Sequence, residues 1–88
     1  MSTLGYIVQY SDEDEYTVYH GYKKLFRHFS DALEHAKELT RIYFESHSLE
    51  EIGHFENHTP TKKNCDNQGS VVVFECRGYI IWIDCVIE

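Results

Sequence analysis

The stretch 70–88 reads SVVVFECRGYIIWIDCVIE, two apolar runs joined by one Arg-Gly step. β-Branched and aromatic residues at this density favour strands, and the Arg-Gly step supplies a reversal between them. The stretch predicts a hairpin. A two-residue type I′ loop would hold Arg77 at positive φ, so a three-residue loop of Cys76, Arg77 and Gly78 is expected, with Gly78 left-handed. Side chains alternate along a strand. Tyr79, Ile81, Ile83, Cys85 and Ile87 therefore share one face, and Ile80, Trp82, Asp84, Val86 and Glu88 share the other. The first set is apolar throughout and should pack under a helix. The second leaves Ile80, Trp82 and Val86 in need of another cover, with Val72 and Phe74 joining them from the preceding strand.

The helix is found at residues 30–47, SDALEHAKELTRIYFESH. Ser30 is a suitable N-cap, because its hydroxyl can accept from an otherwise unpaired backbone N–H. Asp31 lies beside the positive end of the helix dipole. Ala32, Ala36, Leu39 and Tyr43 recur at helical spacing, with Leu33 and Thr40 on the flank. Glu34, Lys37, Glu38, Arg41 and Glu45 fall opposite, and Arg41 and Glu45 can pair across one turn.

Upstream, residues 4–10 (LGYIVQY) and 16–22 (YTVYHGY) read as strands around the polar turn 11–15 (SDEDE). Residues 23–29 either extend the second strand or lead into the helix. Residues 48–51 (SLEE) match a capping box, so a short helical turn is expected there, ended by Gly53. Residues 54–69 hold the chain's single proline, several asparagines and Gly69, and read as a long loop. The predicted fold is α+β. A mainly antiparallel sheet of about four strands carries one amphipathic helix on one face, in the order ββαββ.

The chain has 88 residues, which corresponds to a single domain spanning 1–88. A domain of this size buries roughly 60–65% of its unfolded surface, leaving little room for an enclosed pocket of about 300 Å³. Size therefore argues against an enzyme. With 8 basic and 15 acidic residues the net charge is −7. Binding to a phosphate backbone needs clustered Lys and Arg, so nucleic acid is not the expected partner. An acidic balance suits docking onto a basic protein surface. The N-terminus lacks the basic start and apolar core of a signal peptide, and YIIWI is too short to span a bilayer. The three cysteines, Cys65, Cys76 and Cys85, are expected as reduced thiols of an intracellular, cytoplasmic protein. No membrane association and no cofactor are expected.

The segment HFENHTPTKKNC (54–65) carries the metal-ligating residue types. His54 and His58 are four apart and would share a face on a helix. Cys65 could add a thiolate, and Cys76 or His47 a fourth ligand, giving the mixed tetrahedron zinc accepts. Pro60 and the asparagines oppose a helix at 54–58, and the spacing matches no zinc module. A polar loop is the preferred reading, with a zinc site at His54, His58 and Cys65 as the alternative. Cys65 near either histidine also suggests a thiol nucleophile, and Asp12 or Glu15 an acid–base group, but no orienting residue completes either set. No catalytic residue is assigned. The run DEDE (12–15) lacks the length and glycine of a calcium loop and reads as a solvated turn. Lys37 and Arg41 interrupt the acidic helix face of Glu34, Glu38 and Glu45, which weakens any resemblance to a phosphate backbone.

Taken together, Phe29, Ser30, Leu33, Ala36 and Leu39 in LFRHFSDALEHAKEL, with the closing strand GYIIWIDCVIE, give a layout that resembles small uncharacterised β-β-α-β(-β) domains of phages and large DNA viruses. The resemblance covers most of the chain outside residues 48–70. It implies a fold and a viral or mobile-element setting, hence a host-cell location, and no chemistry.

The functional reading that follows is a small acidic, non-enzymatic interaction module. It would bind a protein partner, or itself as a homodimer, through Trp82, Ile80, Val86, Phe74 and Val72. In a viral setting it would inhibit a host protein or form a minor virion component.

Overall fold

A computed structural model describes residues 2–12 and 24–88. The predicted strand at 16–22 and most of the acidic turn, residues 13–15, lie outside the described residues. The elements are β1 (Thr3–Asp12), β2 (Leu25–Phe26), α1 (Phe29–Ser46), α2 (Leu49–Ile52), β3 (Phe55–Asn57), α3 (Lys62–Gln68), β4 (Ser70–Cys76) and β5 (Tyr79–Ile87). The fold is α+β. Among the described residues its sheet has five strands in the order β2-β1-β5-β4-β3, every neighbouring pair antiparallel, against an expectation of about four. Among the described residues there are three helices: the expected long one, the short turn expected at 48–51, and an unexpected one at Lys62–Gln68.

The N-cap of the long helix falls two residues earlier than expected. His28 is the N-cap, without a side-chain hydrogen bond, and Ser30 sits inside the first turn. The reason is Phe29, which is buried and meets the Tyr6 ring edge-on at 5.4 Å. Burying an aromatic side chain is worth about 1.5–3 kcal/mol, more than the ~1 kcal/mol of a hydroxyl cap. Ala32 and Ala36 are fully buried, and their small side chains let α1 lie close over β1 and β5. Leu39 and Tyr43 continue the contact stripe. On the opposite side Arg41 bridges Glu38 and Glu45.

Segment 54–69 is not a loop. Phe55–Asn57 adds a strand to β4, and Lys62–Gln68 forms a short helix. Phe55 is drawn into the sheet because its ring packs against Phe44 and Phe74, at 5.0 and 6.0 Å. In α3 the Thr61 hydroxyl accepts from the Asn64 N–H at 3.2 Å, and the Gly69 N–H donates to the Cys65 carbonyl at 2.8 Å. Both ends are thus capped around one buried anchor, Cys65. The capping box at Ser48–Glu51 forms as expected, and Gly53 ends α2.

The terminal hairpin differs from expectation in its loop. Cys76 pairs with Tyr79, so the loop is the two residues Arg77 and Gly78. Gly78 alone has positive φ, 89°, and Arg77 keeps an ordinary conformation. Only one residue of this turn therefore needs the freedom of glycine. Further along, the register shifts between Val72 and Phe74, a bulge that leaves Val73 without a partner on β5. This bulge corrects the expected position of Phe74. Past it, Phe74 pairs with Ile81 and belongs to the helix-covered face, where it is fully buried. Tyr79, Ile81 and Ile83 are buried under the helices as expected, whereas Ile87 at the strand end is half exposed.

Candidate functional site

Cys65, Phe29, Ala32 and Ala36 all enter one core, so α1 and α3 cover the same side of the sheet. Pairing register defines the opposite side. Ile80, Trp82, Asp84 and Val86 of β5 lie beside Ser11, Gln9, Ile7 and Gly5 of β1. On the other flank Ile80 pairs with Glu75, and Trp82 with Val72. Glu56 of β3 pairs with Glu75, and Leu25 of β2 with Ile7. Among the described residues, no helix lies over this side. Its centre is apolar, built from Ile7, Val72, Ile80, Trp82 and Val86, which are partly exposed, and Leu25, which is 45% exposed. Gln9 donates to Asp84 beside Trp82, giving the patch a polar border. No Lys or Arg occupies a described strand position on this face, while Asp84, Glu75 and Glu56 do.

An open hollow of ≈ 440 Å³ lies where this face meets the hairpin turn, lined by Ser11, Glu56, Glu75, Arg77 and Ile80 among others. A second, of ≈ 310 Å³, is lined by His58, Pro60, Asn64 and Val72 among others.

His54 and Glu56 line the first hollow, and His58 lines the second. They flank and occupy β3, so strand alternation, not a helical turn, puts them on one side. The His58 Nε2 lies 3.6 Å from a Glu56 oxygen and 3.8 Å from a Glu75 oxygen. The His54 Nε2 lies 3.8 Å from the other Glu56 oxygen. The two histidines singled out in the sequence thus approach different oxygens of one carboxylate; His58 converges with Glu56 and Glu75, and His54 stands outside that group. The missed members are Glu56 and Glu75. The alternation H-x-E-x-H, read with strand period, was the available signal for Glu56. Nothing local marks Glu75, which joins only through pairing.

Cys65 does not belong with them. It is fully buried on the helix side, and its thiol donates to the Ile83 carbonyl at 3.6 Å. Burial pushes the thiol up to about 11, away from the thiolate form, and its place on the helix side separates it from His54 and His58. The other proposed ligands are engaged elsewhere. His47 stacks on Tyr43 at 4.2 Å between ring centres, and the Cys76 thiol donates to the Tyr43 hydroxyl at 3.8 Å. All three cysteines are free.

On the helix side, α3 is tied to the sheet by a polar contact. The Tyr6 hydroxyl donates to Asp66 at 2.7 Å, and Lys62 donates to the other Asp66 oxygen at 2.7 Å. Lys62, followed by Tyr6, holds the Asp66 carboxyl below its ordinary range. Burial, then the bond to Asp66, pushes the Tyr6 phenol from 10.0 up to about 12. A group whose folded pKa is raised adds stability below its unfolded pKa and loses it as pH rises through the folded value. This contribution is therefore complete below about pH 10 and fades toward about pH 12. Tyr6→Phe is expected to cost about 1.5 kcal/mol at neutral pH and to flatten this alkaline loss. Urea melts of both proteins across the alkaline range check it. A Phe variant with the wild-type pH slope would place the titration elsewhere.

No family model, curated protein or solved structure matches this chain. Among the described residues no helix is long and apolar enough to cross a membrane.

Proposed function

We propose that the chain is a non-enzymatic protein-interaction module that docks a partner on the open sheet face around Trp82. The observation that carries this reading is the apolar centre of that face, with no described helix over it and with acidic groups at its border. Contiguous apolar surface with a polar rim is typical of association sites, and Trp is a frequent anchor in them. The rim also selects among partners. Two copies meeting through this face would bring Asp84, Glu75 and Glu56 near their own kind. A heterologous partner with an apolar ridge flanked by Lys or Arg would instead find opposite charge. A role as a viral factor acting on a host protein is one setting for this proposal, and its support is the layout around Phe29, Ser30, Leu33, Ala36 and Leu39.

Trp82→Ser tests the reading, because Trp82 lies outside the core cluster. Wild-type and variant chains are used as parallel baits in quantitative affinity purification, with thermal melts and sedimentation equilibrium on both. Partners recovered by the wild type should drop at least tenfold with the variant while the melting point changes little. Equal recovery with both baits would remove this face from the interaction. A wild-type dimer that the variant dissociates would redirect the proposal to self-association. A variant that unfolds, with a monomeric wild type, would assign Trp82 to the core.

A further inference from the structure

We propose that Glu56, His58 and Glu75 form a binding site for one divalent ion of the zinc class. The argument begins with the sheet register. Glu56 and Glu75 are directly opposite on neighbouring antiparallel strands. Like charges in that relation oppose each other and destabilise the pair. Imidazoles border these carboxylates, His58 beside both and His54 beside Glu56 alone. His58 approaches both glutamates, and Glu56 turns one oxygen toward each histidine. One ligand atom from each of Glu56, His58 and Glu75 lies within 4.8 Å of the others.

These separations suit an ion better than direct bonding. At 3.6 to 3.8 Å the His–Glu pairs are too long for hydrogen bonds. Zinc holds nitrogen and oxygen at about 2.0–2.2 Å, so neighbouring ligands of a tetrahedron stand about 3.4 Å apart. The separations of His58 from the two carboxylates exceed that spacing by only a few tenths of an ångström. Two carboxylates around a divalent ion give a site of zero net charge, which removes the cross-strand repulsion. Calcium and magnesium take oxygen donors almost entirely, so an imidazole donor favours a borderline transition ion over either.

The backbone that carries the ligands is held in place. Pairing fixes Glu56 against Glu75, and the His58 N–H donates to the Val73 carbonyl at 2.9 Å, extending the ladder past β3. The ligand side chains are partly exposed, 39% for His58, 54% for Glu56 and 43% for Glu75, which leaves the ion a path from solvent, whereas His54 is 89% exposed and is not held in the group. Neither the partner reading nor the Trp82 face is required for this site.

Zinc chloride titrated into the metal-free protein by calorimetry, alongside thermal melts, tests the proposal. The expected result is one ion per chain and a melting point that rises with zinc, since binding only the folded state stabilises it. His58→Ala and Glu75→Gln should each weaken uptake at least tenfold, while Cys65→Ala should leave it intact. Both ligand changes are at partly exposed positions, and Glu75→Gln keeps the side chain's shape, so folding is preserved. Cobalt substituted for zinc should lack a thiolate charge-transfer band. No uptake, several weak equivalents insensitive to Glu75→Gln, or a cobalt–thiolate band would each overturn the assignment.

Discussion

Phe74→Ala is expected to lower unfolding free energy by about 3–5 kcal/mol. Phe74 is fully buried, and its ring stands 5.4 to 6.3 Å from those of Phe44, Tyr43, Phe55 and Tyr79. These four come from α1, β3 and β5. Alanine would leave a cavity that none of them can fill alone, because Tyr43 and Tyr79 already stack face to face at 4.0 Å. A domain of this size has a total stability on the order of 5–10 kcal/mol, so the variant should be close to unfolding at physiological temperature. Val72→Ala, two residues away, is the informative comparison. Val72 pairs with Trp82 on the open face, and its truncation should cost under about 1 kcal/mol. Chemical denaturation of both variants measures the difference. Equal costs, or a larger cost at Val72, would put the bulge at another residue and return Phe74 to the open face.

The same pair of residues shows where sequence reading succeeds and where it stops. Strict alternation in YIIWID separates a buried set from an open set, and the separation survives in the structure for Tyr79, Ile81 and Ile83 against Ile80 and Trp82. Alternation extrapolated across VVVF fails, because nothing in three successive valines marks which one the strand skips. The helix was legible from Ala32, Ala36, Leu39 and Tyr43, whose spacing fits one period only. Its first residue was not, since tertiary packing of Phe29 overrode the cap signal of Ser30.

The histidines fail for a related reason. A separation of four fits both a helical turn and two strand repeats, so His54 and His58 share a side in either case. The spacing therefore identified the pair but not its neighbours. A helix directs attention toward Cys65 downstream. A strand directs it to Glu56 between them, and to whatever lies across the ladder. Glu75 became a neighbour only through the pairing of β3 with β4. Residues 62–68 escaped notice because a seven-residue helix with one apolar anchor has almost no periodicity to detect.

Gly5→Ala should destabilise the fold by about 3 kcal/mol, the upper end of overpacking costs. In an ordinary strand this change would be favourable by about 0.4–1 kcal/mol, because alanine restricts the unfolded chain more than glycine does. At Gly5 the sign reverses. A Cβ there would lie 2.5 Å from the Phe26 carbonyl oxygen and 2.9 Å from a Leu25 methyl. The methyl can rotate away, but the carbonyl belongs to the backbone of β2. That strand is two residues long and is positioned by Tyr6 and Ile7, the neighbours of Gly5. Relieving the clash means moving β2 off the sheet edge, which exposes the Phe26 ring, now packed at 5.3 Å against His35 of α1. Hydrogen exchange should therefore speed up at β2 and the first turn of α1, while the β4–β5 hairpin keeps its protection. Unfolding free energy equal to or above wild type would show that the Phe26 carbonyl does not lie over Gly5, and the first edge of the sheet would need a different register.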